Sequence, residues 1–136
     1  MREFIKLMRN QGRVEEIETP CSTVYEAPRM ASRTDKILFF HDLDGHRAVM
    51  NLIADRRSLA AALGVGEREL VPHLAAMTYN GRVTDAGRLE GGVAADLSRL
   101  PILKHFPEDA GRYLTAGIVF SRYGGVENAS IHRMMV

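Results

Sequence analysis

Residues 128–133 read Asn-Ala-Ser-Ile-His-Arg, so six positions carry an amide, a hydroxyl, an imidazole and a guanidinium. If the stretch is a strand, Asn128, Ser130 and His132 share one face, while Ala129, Ile131 and Arg133 share the other. A solvent-facing strand could carry that polarity, and so could a strand that touches a ligand. Other groupings point to less chemistry. His-Asp-Leu-Asp-Gly-His at 41–46 opens like a calcium loop, but the twelfth position counted from Asp42 is Ile53, where a carboxylate is needed. A polar turn is the simpler reading. Gly-Val-Gly-Glu-Arg-Glu at 64–69 lacks the third glycine of a dinucleotide loop and follows a helix rather than a strand, so it reads as a turn between helices. His73 and His105 have no partner at metal-ligand spacing. Cys21, the only cysteine, reads as a packed side chain. No Gly-x-Ser-x-Gly, His-Glu-x-x-His or Walker loop is present.

The elements that must position these residues follow from spacing. Phe4, Ile5, Leu7 and Met8 predict a helix over 2–11 that stops at Gly12. Val14 and Ile17 alternate with charge in a short strand. Ser22 can cap a helix over about 23–33, which Pro28 shortens or kinks. Residues 36–41 and 46–52 are apolar and β-rich around Asp42, Asp44 and Gly45, a hairpin or two strands joined by a turn. Asp55 caps the next helix, with Leu59, Ala62 and Leu63 on one face, and Gly64 ends it. A further helix presents Leu70, Leu74 and Met77 inward. Residues 80–95 are a glycine-rich loop. Tyr113–Tyr123 and Val126–Val136 are β-rich runs joined by Gly124-Gly125, the pair that supplies positive φ to a two-residue hairpin turn. Helices and strands without strict alternation predict an α+β or mixed α/β fold.

The totals exclude several classes. The 136 residues suffice for one core without disulfide or metal staples. With 18 basic against 17 acidic side chains the net charge is +1, far from the field that neutralises a run of phosphates, so nucleic acid is not an expected partner. The first ten residues lack the apolar segment of a signal peptide, and no apolar run reaches the roughly 18 residues of a membrane span. A cytoplasmic protein is expected.

The wording of residues 100–136, from Leu100-Pro101 through Thr115-x-Gly117 to Asn128-x-Ser130-Ile131-x-Arg133, resembles the UbiD family of prenylated-flavin-dependent decarboxylases. Arg2–Ile17 and Ile37–Val65 look like the opening of the same family. The resemblance implies an N-terminal α/β domain over 1–99, with helices on a mixed sheet. It also implies that 100–136 begins a flavin-binding split β-barrel with its first hairpin. Asn128 would ligate a divalent metal, usually Mn2+, since an amide oxygen suits such a hard cation, and K+ is a further candidate cofactor. Ser130, Ile131, His132 and Arg133 would lie against prenylated FMN. Arg133 would act at the reacting centre, where a guanidinium holds a substrate carboxylate through two parallel hydrogen bonds.

Strand parity separates Asn128 from Arg133, so one site can take both only through a twist, a bulge or a cofactor lying across the strand end. The family chain is longer, and its remaining metal ligands and acid/base glutamates fall outside these residues. The chain therefore reads as the N-terminal part of a lyase, inactive alone, that needs a complementary C-terminal chain and forms a homo-oligomer when complete. The wording favours the archaeal branch, which implies a small carboxylate substrate and, within isoprenoid biosynthesis, a phosphorylated one, anhydromevalonate phosphate. Lys104, His105 and Arg112 would favour its charge. The alternative is a non-catalytic module that binds a partner through the edge of its last hairpin.

Overall fold

The computed structural model describes residues 1–78, 81 and 96–136. The expected loop at 80–95 therefore falls, apart from Gly81, outside the described residues. The chain runs α1 (Arg2–Asn10), β1 (Val14–Ile17), α2 (Glu26–Ala31), β2 (Ile37–Leu43), β3 (His46–Met50), α3 (Arg56–Leu63), α4 (Leu70–Ala76), a 3-10 turn (Leu97–Arg99), β4 (Tyr113–Tyr123) and β5 (Val126–Met135). It is the expected mixture of helices and strands. Among the described residues no closed barrel forms, and no helix is long and apolar enough to cross a membrane.

The first sheet has the order β1-β2-β3, with β1 parallel to β2 and β2 antiparallel to β3. Parallel pairing requires a long crossover, and the stretch containing α2 supplies it. β2 is the central strand. Its run Ile37, Leu38 and Phe40 is buried, as a strand covered on both faces must be. Leu38, Phe40 and Leu43 pack with Ile17, Cys21 and Ala27, and Leu103 reaches the same core from the segment before β4. α1 buries Ile5 and Met8, one turn apart, and ends at Gly12 with φ +68°.

The two-residue turn between β2 and β3 is Asp44-Gly45, with φ +48° and +83°, which is type I′ chemistry. The Asp44 carboxylate accepts from the Thr23 amide at 2.9 Å and the Thr23 hydroxyl at 2.5 Å. Thr23 is fully buried, and its carbonyl accepts from the Lys104 amide at 3.1 Å. One carboxylate thus ties the β2–β3 turn to the start of α2, and Thr23 passes the tie to the segment that feeds β4. Asp42 is also a turn residue, its carboxylate accepting from the Gly45 amide at 2.7 Å. The polar-turn reading of His41–His46 holds.

Three helices differ in part from expectation. α2 starts at Glu26, so Pro28 falls in its first turn, where a missing amide costs nothing. α4 buries Leu70 but leaves Leu74 43% and Met77 59% exposed, because among the described residues only α3 packs on it closely. α3 is capped as expected by Asp55, whose carboxylate accepts from the Ser58 amide at 2.7 Å, and it ends at Gly64 with φ +70°. Its buried residues, however, are Ser58 and Ala60 rather than the Leu59 face.

The Thr23 hydroxyl and amide hold the Asp44 carboxyl below its ordinary value. A depressed carboxyl contributes stability that is complete above its unfolded value of about 3.9 and is lost as pH falls through the folded one. Asp44→Ala should lower stability at pH 7 by about 1–3 kcal/mol, because it strands two buried Thr23 donors. Asp44→Asn should flatten the loss of stability below pH 4. Urea unfolding at pH 7 and pH 3 measures both, and an unchanged acid slope in Asp44→Asn contradicts the assignment.

Candidate functional site

β4 and β5 form a two-stranded antiparallel sheet closed by Gly124-Gly125, whose φ values of +57° and +82° fit the type I′ turn that the glycine pair predicts. The register pairs Ser121 with Asn128, Val119 with Ser130, Ile118 with Ile131 and Gly117 with His132. Beyond that point it shifts. Leu114 pairs with Met134, so Thr115 and Ala116 together face Arg133. This is a bulge, with the extra residue in β4.

The bulge lies at the position where a distortion is needed to reconcile Asn128 with Arg133, but it sits in the neighbouring strand. β5 itself keeps its alternation. The Ser130 hydroxyl and His132 Nε2 are 2.8 Å apart, which places them on one face with Asn128. A Cβ at Gly117 would run into the terminal methyl of Met134, so Met134 lies on that face too. The other face carries Ile118, Phe120 and Ile131, with Phe120 80% and Ile131 76% exposed. Arg133 belongs to this second face by count. Beside the bulge, Leu100–Leu103 and Tyr113–Gly117 border an open hollow of about 530 Å³, largely apolar.

The face of Gly117, Val119 and Ser130, each half-buried, also carries Met134, and it offers the exposed Asn128 amide oxygen and the Ser130–His132 pair. That donor set suits a hard cation at Asn128 and hydrogen-bonding atoms of a planar group beside Ser130. Lys104, His105 and Arg112 are not brought together. The Lys104 ammonium stands 5.8 Å from the Tyr25 ring centroid, and the His105 and Phe106 amides donate to the Asp109 carboxylate in a local turn at 3.2 and 3.0 Å. Arg112 instead lines a cleft with Asp44 and His46.

Sequence reasoning missed one cluster. His41 Nε2 lies 2.9 Å from Glu16 and 3.3 Å from Glu18, and the Glu16 carboxylate also accepts from Arg9 Nε at 2.6 Å. The Arg9 hydrogen bond first, and His41 after it, hold the Glu16 carboxyl low. Phe39 completes the group under the Arg9 guanidinium at 4.7 Å. The cluster depends on the parallel register of β1 and β2, which leaves no local signal. Cys21 is buried, and desolvation pushes its thiol up to about 11, so it packs rather than attacks.

Two family models match consecutively. That of the 3-octaprenyl-4-hydroxybenzoate carboxy-lyase N-terminal domain covers residues 5–78, and that of the carboxy-lyase Rift-related domain covers residues 78–136. The anhydromevalonate phosphate decarboxylase of Methanosarcina mazei is 40% identical over 99% of this chain and 33% of its own length. That of Methanothermobacter thermautotrophicus is 35% identical over 100% of this chain and 34% of its own. The UbiD-class enzyme HmfF from Pelotomaculum thermopropionicum, solved in complex with FMN, superposes with a TM-score of 0.73 at 29% identity, over 97% of this chain and 33% of that one. An evolved dimeric form of the same enzyme, in complex with prFMN, gives the same TM-score of 0.73. The chain thus spans about a third of the length of these relatives.

Gly125→Ala tests the turn that fixes this register. An alanine at φ +82° costs about 1–2 kcal/mol. Amides of β4 and β5 should exchange about five to thirty times faster, while those of β2 and β3 stay unchanged. Unchanged exchange in the hairpin contradicts the register.

Proposed function

The chain belongs to the UbiD family of carboxy-lyases, and from that premise we propose that it supplies the flavin-facing strand of a non-oxidative decarboxylase acting on an unsaturated, phosphorylated carboxylic acid. The observation that carries the reading is the placement of Asn128, Ser130, His132 and Arg133 on one regular strand, with a bulge opposite Arg133. Support for the substrate class comes from the relatives, which are decarboxylases of anhydromevalonate phosphate. The remaining metal ligands and the acid/base carboxylates would come from polypeptide corresponding to the other two thirds of those relatives. The division into an N-terminal unit, 1–99, and a hairpin-bearing unit, 100–136, is part of this proposal. The family models meet earlier, at residue 78.

In this reading prenylated FMN supplies an electron sink for the carbanionic character that develops as CO2 leaves. Asn128 would give its amide oxygen to a divalent cation, Mn2+, that would tie the cofactor phosphate to the protein, with K+ as a further, separate candidate cofactor. Ser130 and Ile131 line the cofactor with a hydroxyl and an apolar contact, and Ser130 fixes the His132 ring. Arg133 holds the substrate carboxylate through paired hydrogen bonds, and its planar fork orients the bond that breaks. Lysine cannot reproduce that fork.

A second reading rests on a separate observation, the exposure of Phe120, Ile131 and both outer edges of the hairpin. There the chain is a non-catalytic module that pairs with a partner strand. A chimera decides between the two. This chain replaces the matching third of the M. mazei relative, and decarboxylation of anhydromevalonate phosphate is assayed with prenylated FMN and Mn2+. Activity is expected. Arg133→Lys should lower kcat/KM by roughly 10²–10³, and Asn128→Ala should weaken Mn2+ retention at least about tenfold. A folded chimera that binds neither flavin nor metal overturns the lyase reading.

A further inference from the structure

Asp44, His46, Ser98, Arg99 and Arg112 surround a polar cleft of about 230 Å³ between the β2–β3 turn and the segment entering Leu100-Pro101. Its charge is unbalanced. Two guanidinium groups and an imidazole face a single carboxylate, and one oxygen of that carboxylate is committed to the Thr23 amide and hydroxyl. Among the described residues neither Arg99 nor Arg112 has a carboxylate within salt-bridge distance. Surface arginines are common, but here two of them line one cleft whose single carboxylate, already drawn on by Arg112 and His46, keeps one oxygen for Thr23.

The position of the cleft is informative. The Arg112 carbonyl accepts from the Val136 amide at 2.9 Å and closes the open end of the β4–β5 ladder. Arg112 therefore sits on the Arg133 side of the hairpin, far from the Gly-Gly turn. Val136 lies three residues along the chain from Arg133, roughly 10 Å at 3.3 Å per residue. That spacing along the strand is within the span of one small molecule with an anionic group at each end.

We propose that this cleft binds a phosphate monoester through Arg99 and Arg112, with His46 as a third donor, and that the phosphate is the far end of the acid whose carboxylate Arg133 holds. The proposal rests on the decarboxylase reading and assigns the residues that would select a phosphorylated substrate over an unphosphorylated one. A tetrahedral dianion takes bidentate pairs from both guanidiniums, whereas a carboxylate of the same charge sign offers a planar fork to only one. Asp44 plays a positioning role. Anchored on Thr23, it holds the turn that presents His46 and repels an anion from its own side of the cleft.

The test uses this chain and methyl phosphate, with acetate at matched ionic strength as the control for bulk charge. The guanidinium Nε–Hε signals of Arg99 and Arg112 and the ring signals of His46 are followed by NMR. Methyl phosphate should shift all three sets along one saturable curve, and acetate should not. Arg112→Gln should weaken the curve at least tenfold. Arg99→Gln, on an exposed 3-10 turn that does not carry the fold, should weaken it severalfold. No saturable response, or equal curves in wild type and in Arg99→Gln, overturns the assignment. No decarboxylation is read, so an inactive chimera leaves this result standing, and an active chimera with no phosphate response overturns the cleft alone.

Discussion

The Asp44 carboxylate holds together parts of the chain that are sixty residues apart. It accepts two hydrogen bonds from Thr23, which is fully buried, and Thr23 in turn accepts from Lys104. Remove the carboxylate and two donors are left in a dry environment, the β2–β3 turn loses its outer support, and the strand-like contact between Val24 and Lys104 loses its neighbour. That contact sets where the segment 100–112 begins, and the same segment delivers β4 and the residues that face Arg133. The hairpin is an extended two-stranded ribbon with little burial of its own, so its placement depends on this tie.

The hairpin divides its labour by face. One face is small and hydrogen-bonding, with Gly117 opposite His132 and Ser130 fastened to His132. The other is apolar and open, with Ile118, Phe120 and Ile131 exposed. The bulge at Thr115-Ala116 lies opposite Arg133, which belongs by count to the apolar face, whereas Asn128 lies on the other.

Much of this was legible in the sequence where the cause is local. Gly124-Gly125 and Asp44-Gly45 announce positive φ, Asp55 announces a cap, and Gly12 and Gly64 announce helix ends, since each acts within a few residues. The β-rich run Ile37–Phe40 announced a buried strand. What failed depends on neighbours distant in sequence. The exposure of Leu74 and Met77 reflects what packs on α4, which helical spacing cannot state. The bulge is a property of the pairing of β4 with β5, and the Glu16–Glu18–His41 group is a property of the register of β1 against β2. The roles assigned to Asn128 and Arg133 came from their resemblance to a family motif, since alternation alone favoured water on the polar face.

The central claim is that Asn128 and Arg133 serve one flavin from a single strand. The most direct measurement is a crystal structure of the M. mazei chimera with FMN and Mn2+, using the anomalous signal of manganese. The account predicts a manganese peak within coordination distance of the Asn128 amide oxygen, the flavin against Ser130 and His132, and the Arg133 guanidinium brought round to the same ring. Manganese at Glu16, Glu18 and His41, or a flavin out of contact with Ser130 and His132, would contradict it.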